Sequence, residues 1–259
     1  MAMTLQSDEA PANRLLERYS LAGMTAVVTG GAKGIGGAIV REFLALGCRV
    51  VVWDMDVSSL EPIAGRLDGI GVDVTSQAGI EAAKRQTDAL IGTPDILVNN
   101  AGIQGPTVPI DDHERSAWDR VIAVNLTSVF AVTKIFVPDM RKRKSGRIIN
   151  IASAAGLRGL ADGCAYGASK AGVIGLTMGL SKELVGDQIT VNCVAPALID
   201  TDLKLQMSAE FIEKAADRVP MKRLGRPEEV AATVAWIATP ACSFTTGAVF
   251  DVAGGRLNL

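Results

Sequence analysis

A glycine-rich turn near the start of the chain constrains its fold more than any other feature. An apolar run at residues 25–28 leads into the turn, which extends from Thr29 to Gly36 and reads TGGAKGIG; an amphipathic run follows at residues 38–45. This order predicts a strand, a turn and a helix whose N-terminus presents unpaired N–H groups and a positive dipole end. Glycines there let the backbone approach an anionic group, and a pyrophosphate fits such a turn.

The turn therefore predicts a dinucleotide site, to which we assign Gly30, Lys33, Gly34, Ile35 and Gly36. Its spacing is Gly-x-x-x-Gly-x-Gly rather than the common Gly-x-Gly-x-x-Gly. A tight turn that only packs a helix on a strand would give the same glycines. An acidic residue about 20 positions downstream favours the dinucleotide interpretation.

That acidic residue is Asp54, which follows a second apolar run at residues 49–53. Its carboxylate can accept hydrogen bonds from the hydroxyls of an adenosine ribose. Asp54 and Asp56 together would repel the extra phosphate of NADP, so we predict that NAD is preferred over NADP as the cofactor. Lys33 favours the opposite preference if it pairs with that phosphate, although a solvated loop charge also explains it.

Composition limits the classes of protein to which the chain can belong. It has 259 residues, 48% hydrophobic and 21% charged, and its net charge is -2. A chain of this kind buries a large core and is not disordered. The small net charge gives no electrostatic case for nucleic acid or a membrane surface, so neither is expected as a partner. No run approaches about 18 apolar residues, which predicts no membrane span, and the N-terminus does not read as a signal peptide.

Cysteine and histidine placement argues against a disulfide framework or a metal site. The four cysteines are scattered without a Cys-x-x-Cys pair, which is typical of reduced thiols in a cytoplasm. His113 is the one histidine of the chain, and one histidine does not make a metal cluster. We therefore expect a cytoplasmic protein with no metal.

Apolar runs alternate with helical patterns along the chain. Strands are predicted at residues 25–28, 49–54, 70–74, 95–100, 147–153, 188–194 and 248–252. Helices are predicted at residues 35–46, 76–91, 116–143, 165–185, 208–215 and 227–238. The alternation predicts an α/β fold: a single Rossmann-type, doubly wound parallel β-sheet flanked by helices on both faces. We expect an N-terminal extension at 1–21, one domain at 22–259 and, within it, a lid over the binding cleft at 200–220.

A tyrosine and a lysine share one face of a predicted helix. Tyr166 and Lys170 are four positions apart, which places both side chains on the same side. A free tyrosine, with a pKa of about 10, is a poor base at neutral pH, but a nearby ammonium favours the phenolate and lowers that pKa. Ser153 is the last residue of a predicted strand, and its hydroxyl can donate to a reacting carbonyl oxygen. An ordinary amphipathic helix also produces Tyr-x-x-x-Lys, but its combination with Ser153 and the glycine turn predicts an active site.

The chain resembles the classical short-chain dehydrogenase/reductase family over about residues 22–256. The resemblance is carried by the glycine turn, Asn99-Asn100-Ala101-Gly102, Val124-Asn125, Ser153, Tyr166 and Lys170. It implies an NAD(P)-dependent oxidoreductase that interconverts a secondary alcohol and a ketone. A non-catalytic NAD-binding regulatory protein is the alternative from another class, but such a protein need not retain the last four of these residues together.

The resemblance implies catalytic roles for four residues. Tyr166 delivers or takes the alcohol proton, and Ser153 polarises and orients the carbonyl. Lys170 tunes Tyr166 and binds the hydroxyls of the nicotinamide ribose. Asn125 links Lys170 to solvent through a water, unless it is only a polar residue that distorts its helix.

The resemblance also extends the cofactor site beyond the glycine turn and Asp54. It implies a cleft lined by Asn100, Ala101, Gly102, Asp73, Val74, Ile199 and Thr201. Asp73 and Val74 would meet the adenine, although Asp73 alone would also be explained as the cap of the next helix. Ile199 and Thr201 would meet the carboxamide end of the nicotinamide.

The substrate is a small-molecule alcohol or ketone, and its class is the least constrained prediction. Ser153 and Tyr166 would touch it, and Gln104 and Arg158 lie near the expected mouth. Arg158 would bind a carboxylate, unless it is a solvated loop charge. The segments around Gln104 and Ala197 and the Gly-Gly-Arg sequence at 254–256 resemble family members that oxidise sugar acids or polyols, and we predict that substrate class.

A 3-oxoacyl-[acyl-carrier-protein] reductase is the alternative enzyme. It is favoured by the apolar residues Leu203, Met207 and Phe211 of the predicted lid, which would suit an acyl chain. Ala197 stands where the family often has glycine, which requires an ordinary backbone conformation there. The resemblance further implies a homo-oligomer, a tetramer or a dimer, paired through the helices predicted at 116–143 and 165–185.

Overall fold

The structure, a computed structural model, describes residues 16–201 and 209–256. The strands are β1 (Thr25–Thr29), β2 (Arg49–Asp54), β3 (Leu67–Gly71), β4 (Ile96–Asn99), β5 (Gly146–Ile151), β6 (Ile189–Pro196) and β7 (Val249–Val252). The first helices are α1 (Gly34–Ala45), α2 (Gln77–Ile91), α3 (Arg115–Ile122) and α4 (Ser128–Arg143). The remaining helices are α5 (Ala154–Arg158), α6 (Cys164–Leu184), α7 (Ala209–Asp217) and α8 (Pro227–Ala238).

The described strands form one sheet of seven in the order β3-β2-β1-β4-β5-β6-β7. Every pairing is parallel; Val27 lies opposite Val51 of β2 and Leu97 of β4. The order reverses direction between β1 and β4, so the carboxyl ends of these strands border the crevice where ligands bind in such sheets. The predicted α/β fold, a doubly wound parallel sheet of Rossmann type, is confirmed.

Helices cover both faces of the sheet, and each face has its own apolar cluster. One cluster packs α1 and α8 on the sheet and includes Phe43 and Val234. The other packs α2 and α4 on the opposite face and includes Trp53 and Phe136, whose ring centroids lie 5.5 Å apart. Burial of both faces accounts for the continuous apolar runs of the strands, because a parallel sheet exposes neither side.

The third strand lies three residues earlier than predicted. It spans Leu67–Gly71 rather than 70–74, because Asp73 ends the extended run. Its carboxylate accepts hydrogen bonds from the amide of Thr75 at 2.9 Å and from its hydroxyl at 2.7 Å, a side-chain turn that bends the chain. The next helix is capped by Ser76, which accepts from the amide of Gly79, so the interpretation of Asp73 as the helix cap is wrong.

The helix predicted at 116–143 is interrupted in the structure. The short helix α5 was not predicted at all. A π-helical turn, Ala123–Thr127, separates α3 from α4. The five-residue α5 follows Ser153 directly and ends at Arg158. Of the segment predicted as a lid, residues 202–208, with Leu203 and Met207, lie outside the described residues, and α7 occupies most of the remainder.

The expectation that no run approaches the length of a membrane span needs correction. The helical segment Arg115–Arg143 is 29 residues long and, by length and composition only, apolar enough to cross a membrane. Val132, Phe136 and Met140 on this segment are buried in the cluster against the sheet. This side of the segment is therefore part of the hydrophobic core.

Candidate active site

The glycine turn packs directly on the end of β4. Gly30 and Gly34 have φ angles of +62° and +57°, a region that favours glycine. A Cβ on Gly30 would lie 2.9 Å from Cα of Ala101, and a Cβ on Gly36 would overlap the carbonyl oxygen of Gly30. The turn therefore needs glycine both for its conformation and for the close approach of its backbone.

Hydrogen bonds fix the turn against β4. The Asn100 side chain donates from Nδ2 to the carbonyl oxygens of Thr29 at 3.0 Å and Gly30 at 2.9 Å. The Thr29 hydroxyl accepts from the amides of Asn100 at 2.9 Å and Ala101 at 3.1 Å. Sequence reasoning assigned no role to Thr29, which joins the carboxyl ends of the two strands at the crevice.

Asp54 lies beside the glycine turn, as its position at the end of β2 predicts. Oδ2 of Asp54 accepts a hydrogen bond from the amide of Ala32 at 3.0 Å. The exposed Lys33 lies close to Asp56, whose pKa is lowered first by hydrogen bonds from Ser58 and further by the positive charge of Lys33. A carboxylate of the chain therefore lies within electrostatic reach of Lys33, although the two form no ion pair among the described residues.

Ser153, Tyr166 and Lys170 meet between β5 and α6. Ser153 caps α5, where its hydroxyl accepts from the amide of Ala155 at 3.1 Å, and its side chain lies close enough to Tyr166 to lower the pKa of that phenol. Nζ of Lys170 lies 5.8 Å from the centroid of the Tyr166 ring and donates to the carbonyl oxygen of Ile151 at 2.8 Å. The spacing of four along α6 places the tyrosine and the lysine together, as predicted.

The electrostatics of this group differ from the prediction. Burial raises the pKa of the Tyr166 phenol, and the hydrogen bond with Ser153 opposes that rise without cancelling it. Burial lowers the pKa of the Lys170 ammonium to about 8. The prediction that Lys170 lowers the pKa of Tyr166 is therefore wrong for the chain without ligand, because desolvation disfavours both charged forms.

Asn125 lies in the π-helical turn and is fully enclosed, with 0% of its surface exposed. Its Oδ1 accepts from the amide of Ile103 at 2.8 Å, and its Nδ2 donates to the Ile103 carbonyl at 2.8 Å and to the Ser169 hydroxyl at 3.1 Å. A Cβ on Gly102 would lie 3.3 Å from Oδ1 of Asn125 and 3.4 Å from Nζ of Lys170. Gly102 thus brings a bare backbone against both side chains, and the helix distortion considered for Asn125 is present.

The remaining residues predicted for the cofactor follow two different strands: Ile199 and Thr201 follow β6, and Asp73 and Val74 follow β3. Ile199 is buried, and its neighbours exchange backbone hydrogen bonds with Gly225. The side chain of Thr201 lies over the glycine turn, with Cγ2 3.7 Å from the position of a Cβ on Gly34. Asp73 and the buried Val74 follow β3, on the far side of β2 from β1.

Of the two predicted substrate residues outside the catalytic group, Gln104 lies on the loop after β4 and Arg158 ends α5. Gln104 is half-buried in a segment that the amide of Val108 joins to the carbonyl of Asp162 at 2.7 Å. Arg158 is exposed, but its Nη1 donates to the carbonyl oxygen of Arg256. Arg158 is therefore attached to the C-terminal segment rather than freely solvated, and its partner Arg256 ends the Gly-Gly-Arg sequence of that segment.

The close packing of α5 on α6 was also not predicted from the sequence. A Cβ on Gly156 would lie 2.6 Å from the carbonyl carbon of Lys170, so only glycine lets the two backbones touch there. A single glycine in a helix of five residues carries no periodic signal, so no pattern could have indicated the contact. It holds the helix capped by Ser153 against the helix that carries Tyr166.

The residues at the crevice fit a nicotinamide dinucleotide. The positive-φ glycines, the close approach at Gly30 and the carboxylate of Asp54 beside the turn provide the features that a pyrophosphate and a ribose need. Among the residues that the structure describes, no group of three or more His, Cys, Asp or Glu side chains is placed to hold a metal ion.

Comparisons with known proteins agree with this arrangement. A family model described as "Enoyl-(Acyl carrier protein) reductase" matches residues 30–256. The 2-dehydro-3-deoxy-L-rhamnonate dehydrogenase (NAD(+)) of Sphingomonas sp. (strain SKA58) is 39% identical over 238 residues, 91% of this chain and 96% of that protein. The 3-oxoacyl-[acyl-carrier-protein] reductase FabG of Thermotoga maritima is 38% identical over 242 residues, 91% of this chain and 98% of that protein.

Solved structures give the same result. The crystal structure of a putative gluconate dehydrogenase from Agrobacterium tumefaciens superposes with a TM-score of 0.88 at 31% identity, covering 93% of this chain and 99% of that chain. The chain belongs to the short-chain dehydrogenase/reductase family. It is an NAD(P)-dependent oxidoreductase that acts on the CH–OH group of a small molecule.

Proposed function

We propose that this enzyme oxidises a secondary alcohol of a sugar acid or polyol to the ketone, with NAD as the preferred cofactor. The observation that carries the proposal is the meeting of Ser153, Tyr166 and Lys170 beside Gly102, at the same sheet edge as the glycine turn and Asp54.

The reacting alcohol would lie against Tyr166 and Ser153. When bound, the nicotinamide cofactor supplies the acceptor for a hydride from the alcohol carbon. The phenolic oxygen of Tyr166 takes the hydroxyl proton, and the Ser153 hydroxyl donates a hydrogen bond to the carbonyl oxygen that forms. The Lys170 ammonium, held by the carbonyl of Ile151, favours the phenolate once substrate and cofactor occupy the crevice.

Asn125 is proposed as a positioning residue for this group. Its amide holds the backbone of Ile103 on one side and Ser169, a neighbour of Lys170 on α6, on the other. This arrangement keeps the 102–104 segment against Lys170. The predicted water relay through Asn125 remains a proposal.

The preference for NAD is proposed from the charges around the turn. Asp54 would accept from the ribose hydroxyls and repel a phosphate in their place. Lys33, the one argument for NADP, lies near Asp56, which reduces its attraction for that phosphate.

The sugar-acid assignment is supported by the names of two similar proteins. One is a dehydrogenase of 2-dehydro-3-deoxy-L-rhamnonate, and another is a putative gluconate dehydrogenase. The alternative is a 3-oxoacyl-[acyl-carrier-protein] reductase, supported by the Thermotoga relative at similar identity. Kinetics with NAD and NADP on sugar acids, polyols and a 3-oxoacyl thioester separate the two, since a strong preference for the thioester would reject our assignment.

The catalytic assignment is tested by replacing each of the two tyrosines of the chain. Tyr166→Phe removes the proton acceptor and little packing, so turnover should fall at least about 100-fold while NADH affinity, measured by fluorescence titration, stays within about twofold. Tyr19→Phe is the matched control, because Tyr19 is 50% exposed and lies outside the crevice. Substantial turnover by Tyr166→Phe would assign the proton transfer to another group.

We also propose a cytoplasmic homo-oligomer, a dimer or tetramer, with neither membrane nor nucleic acid as a partner. The outer face of α6 carries small residues, with open space around Gly175 and Gly179. Met178 on the same helix is 43% exposed, and Phe130 on a separate helix, α4, is 53% exposed. Exposed small and apolar residues of this kind suit contact with a second copy of the chain.

A further inference from the structure

Three arginines from separate parts of the chain meet at one rim of the site. Arg158 ends α5, Arg218 directly follows α7, and Arg256 is the last residue of the described C-terminal segment. Nη1 of Arg158 donates to the backbone carbonyl of Arg256. This bond ties the first arginine to the segment that carries the third.

Packing brings the second arginine to the same place. The residues after Arg218 lie on the turn before Arg256: the amide of Met221 donates to the carbonyl of Gly254 at 3.3 Å. Gly255 has a φ of +87°, and a Cβ on it would lie 3.2 Å from Cγ of Pro220. The chain thus approaches closely on both sides of the cluster.

The three charges act on one another without a counterion from the described residues. The half-buried Arg256 has its pKa lowered first by burial and then by the positive charges of Arg158 and Arg218. None of the three forms an ion pair with any residue that the structure describes. Like charges brought together in this way destabilise the free protein, and a bound anion would reverse that effect.

The cluster lies within reach of the reacting group. Ser153 caps the N-terminus of α5 and Arg158 ends it, so their Cα atoms are about 7 Å apart along the helix. Arg158 can therefore approach one end of a short substrate whose reacting alcohol lies at Ser153. Guanidinium groups bind carboxylates through paired hydrogen bonds, and three of them suit an anion better than a neutral polyol.

We propose that Arg158, Arg218 and Arg256 form the site that binds the carboxylate of the substrate, with Arg256 as its half-buried base. This inference rests on the proposed function, which it deepens: it makes the substrate an acid and not a neutral polyol. It also assigns specificity to Arg218 and Arg256, two residues outside the group that exchanges the proton.

The test measures binding as well as turnover. The enzyme–NADH complex is titrated with aldonates of three to six carbons, each paired with the alditol of the same length, and NADH fluorescence is followed. We expect at least one aldonate to bind at least about tenfold more tightly than its alditol, because charge-assisted hydrogen bonds exceed neutral ones.

Arginine-to-glutamine variants assign the difference to the cluster. Arg256→Gln and Arg218→Gln should each weaken aldonate binding by about 10- to 100-fold and leave alditol and NADH binding unchanged. The bond from Arg158 survives Arg256→Gln because it uses the backbone carbonyl. Arg85→Gln, on the exposed face of α2, is the matched control.

The melting temperature shows whether the arginines bind the substrate or only pack within the protein. At low salt and without ligand, Arg256→Gln and Arg218→Gln should each raise the melting temperature, because each removes part of the repulsion. Lower melting temperatures in both variants together with unchanged aldonate affinity would assign the arginines to packing and overturn the proposal. The exposed Arg218 provides the test even if Arg256→Gln does not fold.

The outcomes distinguish this inference from the proposed function. If the enzyme oxidises sugar acids and the variants keep their affinity for them, the cluster proposal fails and the function stands. If no sugar acid is oxidised but aldonates still inhibit turnover of another alcohol in an Arg256-dependent way, the function fails and the anion site stands. Tighter binding of a phosphorylated alditol than of every aldonate would overturn the assignment to a carboxylate.

Discussion

One carboxylate oxygen of Asp54 holds the glycine turn, and the other is available to bind a ligand. Its Oδ2 already accepts from the amide of Ala32, which orients the carboxylate beside the glycine turn before any ligand arrives. The other oxygen has only a long contact, 3.4 Å, to the amide of Asp56. A preorganised acceptor of this kind loses little freedom on binding, which favours a ribose hydroxyl at that position.

The first prediction concerns this carboxylate. The native enzyme should use NAD with at least about tenfold higher kcat/KM than NADP, and Asp54→Ala should bring the ratio within about threefold of unity, because it removes an acceptor and a repulsive charge. Steady-state kinetics with both cofactors measure the ratio. Glu61→Ala, an exposed acidic residue elsewhere, is the control. Equal use of both cofactors by the native enzyme would mean that Lys33 decides the preference.

The second prediction concerns the buried ammonium of Lys170. Burial lowers its pKa from 10.5 to about 8, so the folded chain binds fewer protons than the unfolded chain between those pH values. The resulting destabilisation is fully present below about pH 8 and disappears as the pH rises through 10.5. Lys170→Met should therefore stabilise the ligand-free protein at pH 7 by about 1–3 kcal/mol, net of the lost bond to Ile151.

Urea unfolding at pH 7 and pH 10 measures this effect. The gain from Lys170→Met should be smaller at pH 10, where the native lysine is mostly neutral in the folded chain. Lys182→Met on the same helix, an exposed position, should change stability equally at both pH values. A gain that does not depend on pH would show that charge burial is not its cause.

At the scale of elements, the π-helical turn Ala123–Thr127 is the unusual feature between α3 and α4. Such turns insert one residue into a helix and are frequent at functional sites. Here the turn carries Asn125, whose amide satisfies both backbone groups of Ile103. The interruption of the helix and the position of the 102–104 segment therefore depend on the same side chain.

The third prediction tests that dependence. Asn125→Ala removes both hydrogen-bond partners from the backbone of the half-buried Ile103, so we expect a loss of about 1–3 kcal/mol in the free energy of unfolding. Turnover should fall more than NADH affinity, since the displaced segment lies against Lys170. Thr127→Ala, an exposed position in the same turn, is the control. Unchanged stability would show that the turn forms without the Asn125 amide.

At the scale of the whole molecule, the sheet is covered on both faces, and the outer face of α6 remains apolar. Gly175 and Gly179 lie on it with no heavy atom within 4 Å of an added Cβ. Glycine is a poor helix former, so exposed glycines in a long helix need a reason outside the helix itself. Close contact with a second copy is the reason that we propose.

The fourth prediction follows from those glycines. Gly175→Arg should raise the stability of an isolated subunit by about 1 kcal/mol through helix propensity but block contact with a partner. Light scattering after size-exclusion chromatography should show a dimer or tetramer for the native protein and a smaller species for Gly175→Arg. Ala89→Arg, exposed on α2, should leave the mass unchanged. A native monomer would contradict the proposed oligomer.

Local order in the chain was readable from the sequence. The strand, glycine turn and helix at residues 25–45 form as predicted because apolar periodicity and the conformational freedom of Gly30 and Gly34 are properties of neighbouring residues. Two further features follow from neighbouring residues in the same way. They are the spacing of Tyr166 and Lys170 along α6 and the position of Asp54 at the end of β2. Each depends on helix or strand geometry alone.

Tertiary structure decided what depends on segments distant in the chain and on exclusion of water. Strand β3 ends earlier than predicted because Asp73 accepts hydrogen bonds from Thr75 instead of continuing the hydrogen bonds between strands. The pKa of Tyr166 rises rather than falls because burial, which no spacing of residues reveals, outweighs the hydrogen bond with Ser153. The arginine cluster needs α5, the end of α7 and the C-terminal turn to pack together, so only the fold places its members side by side.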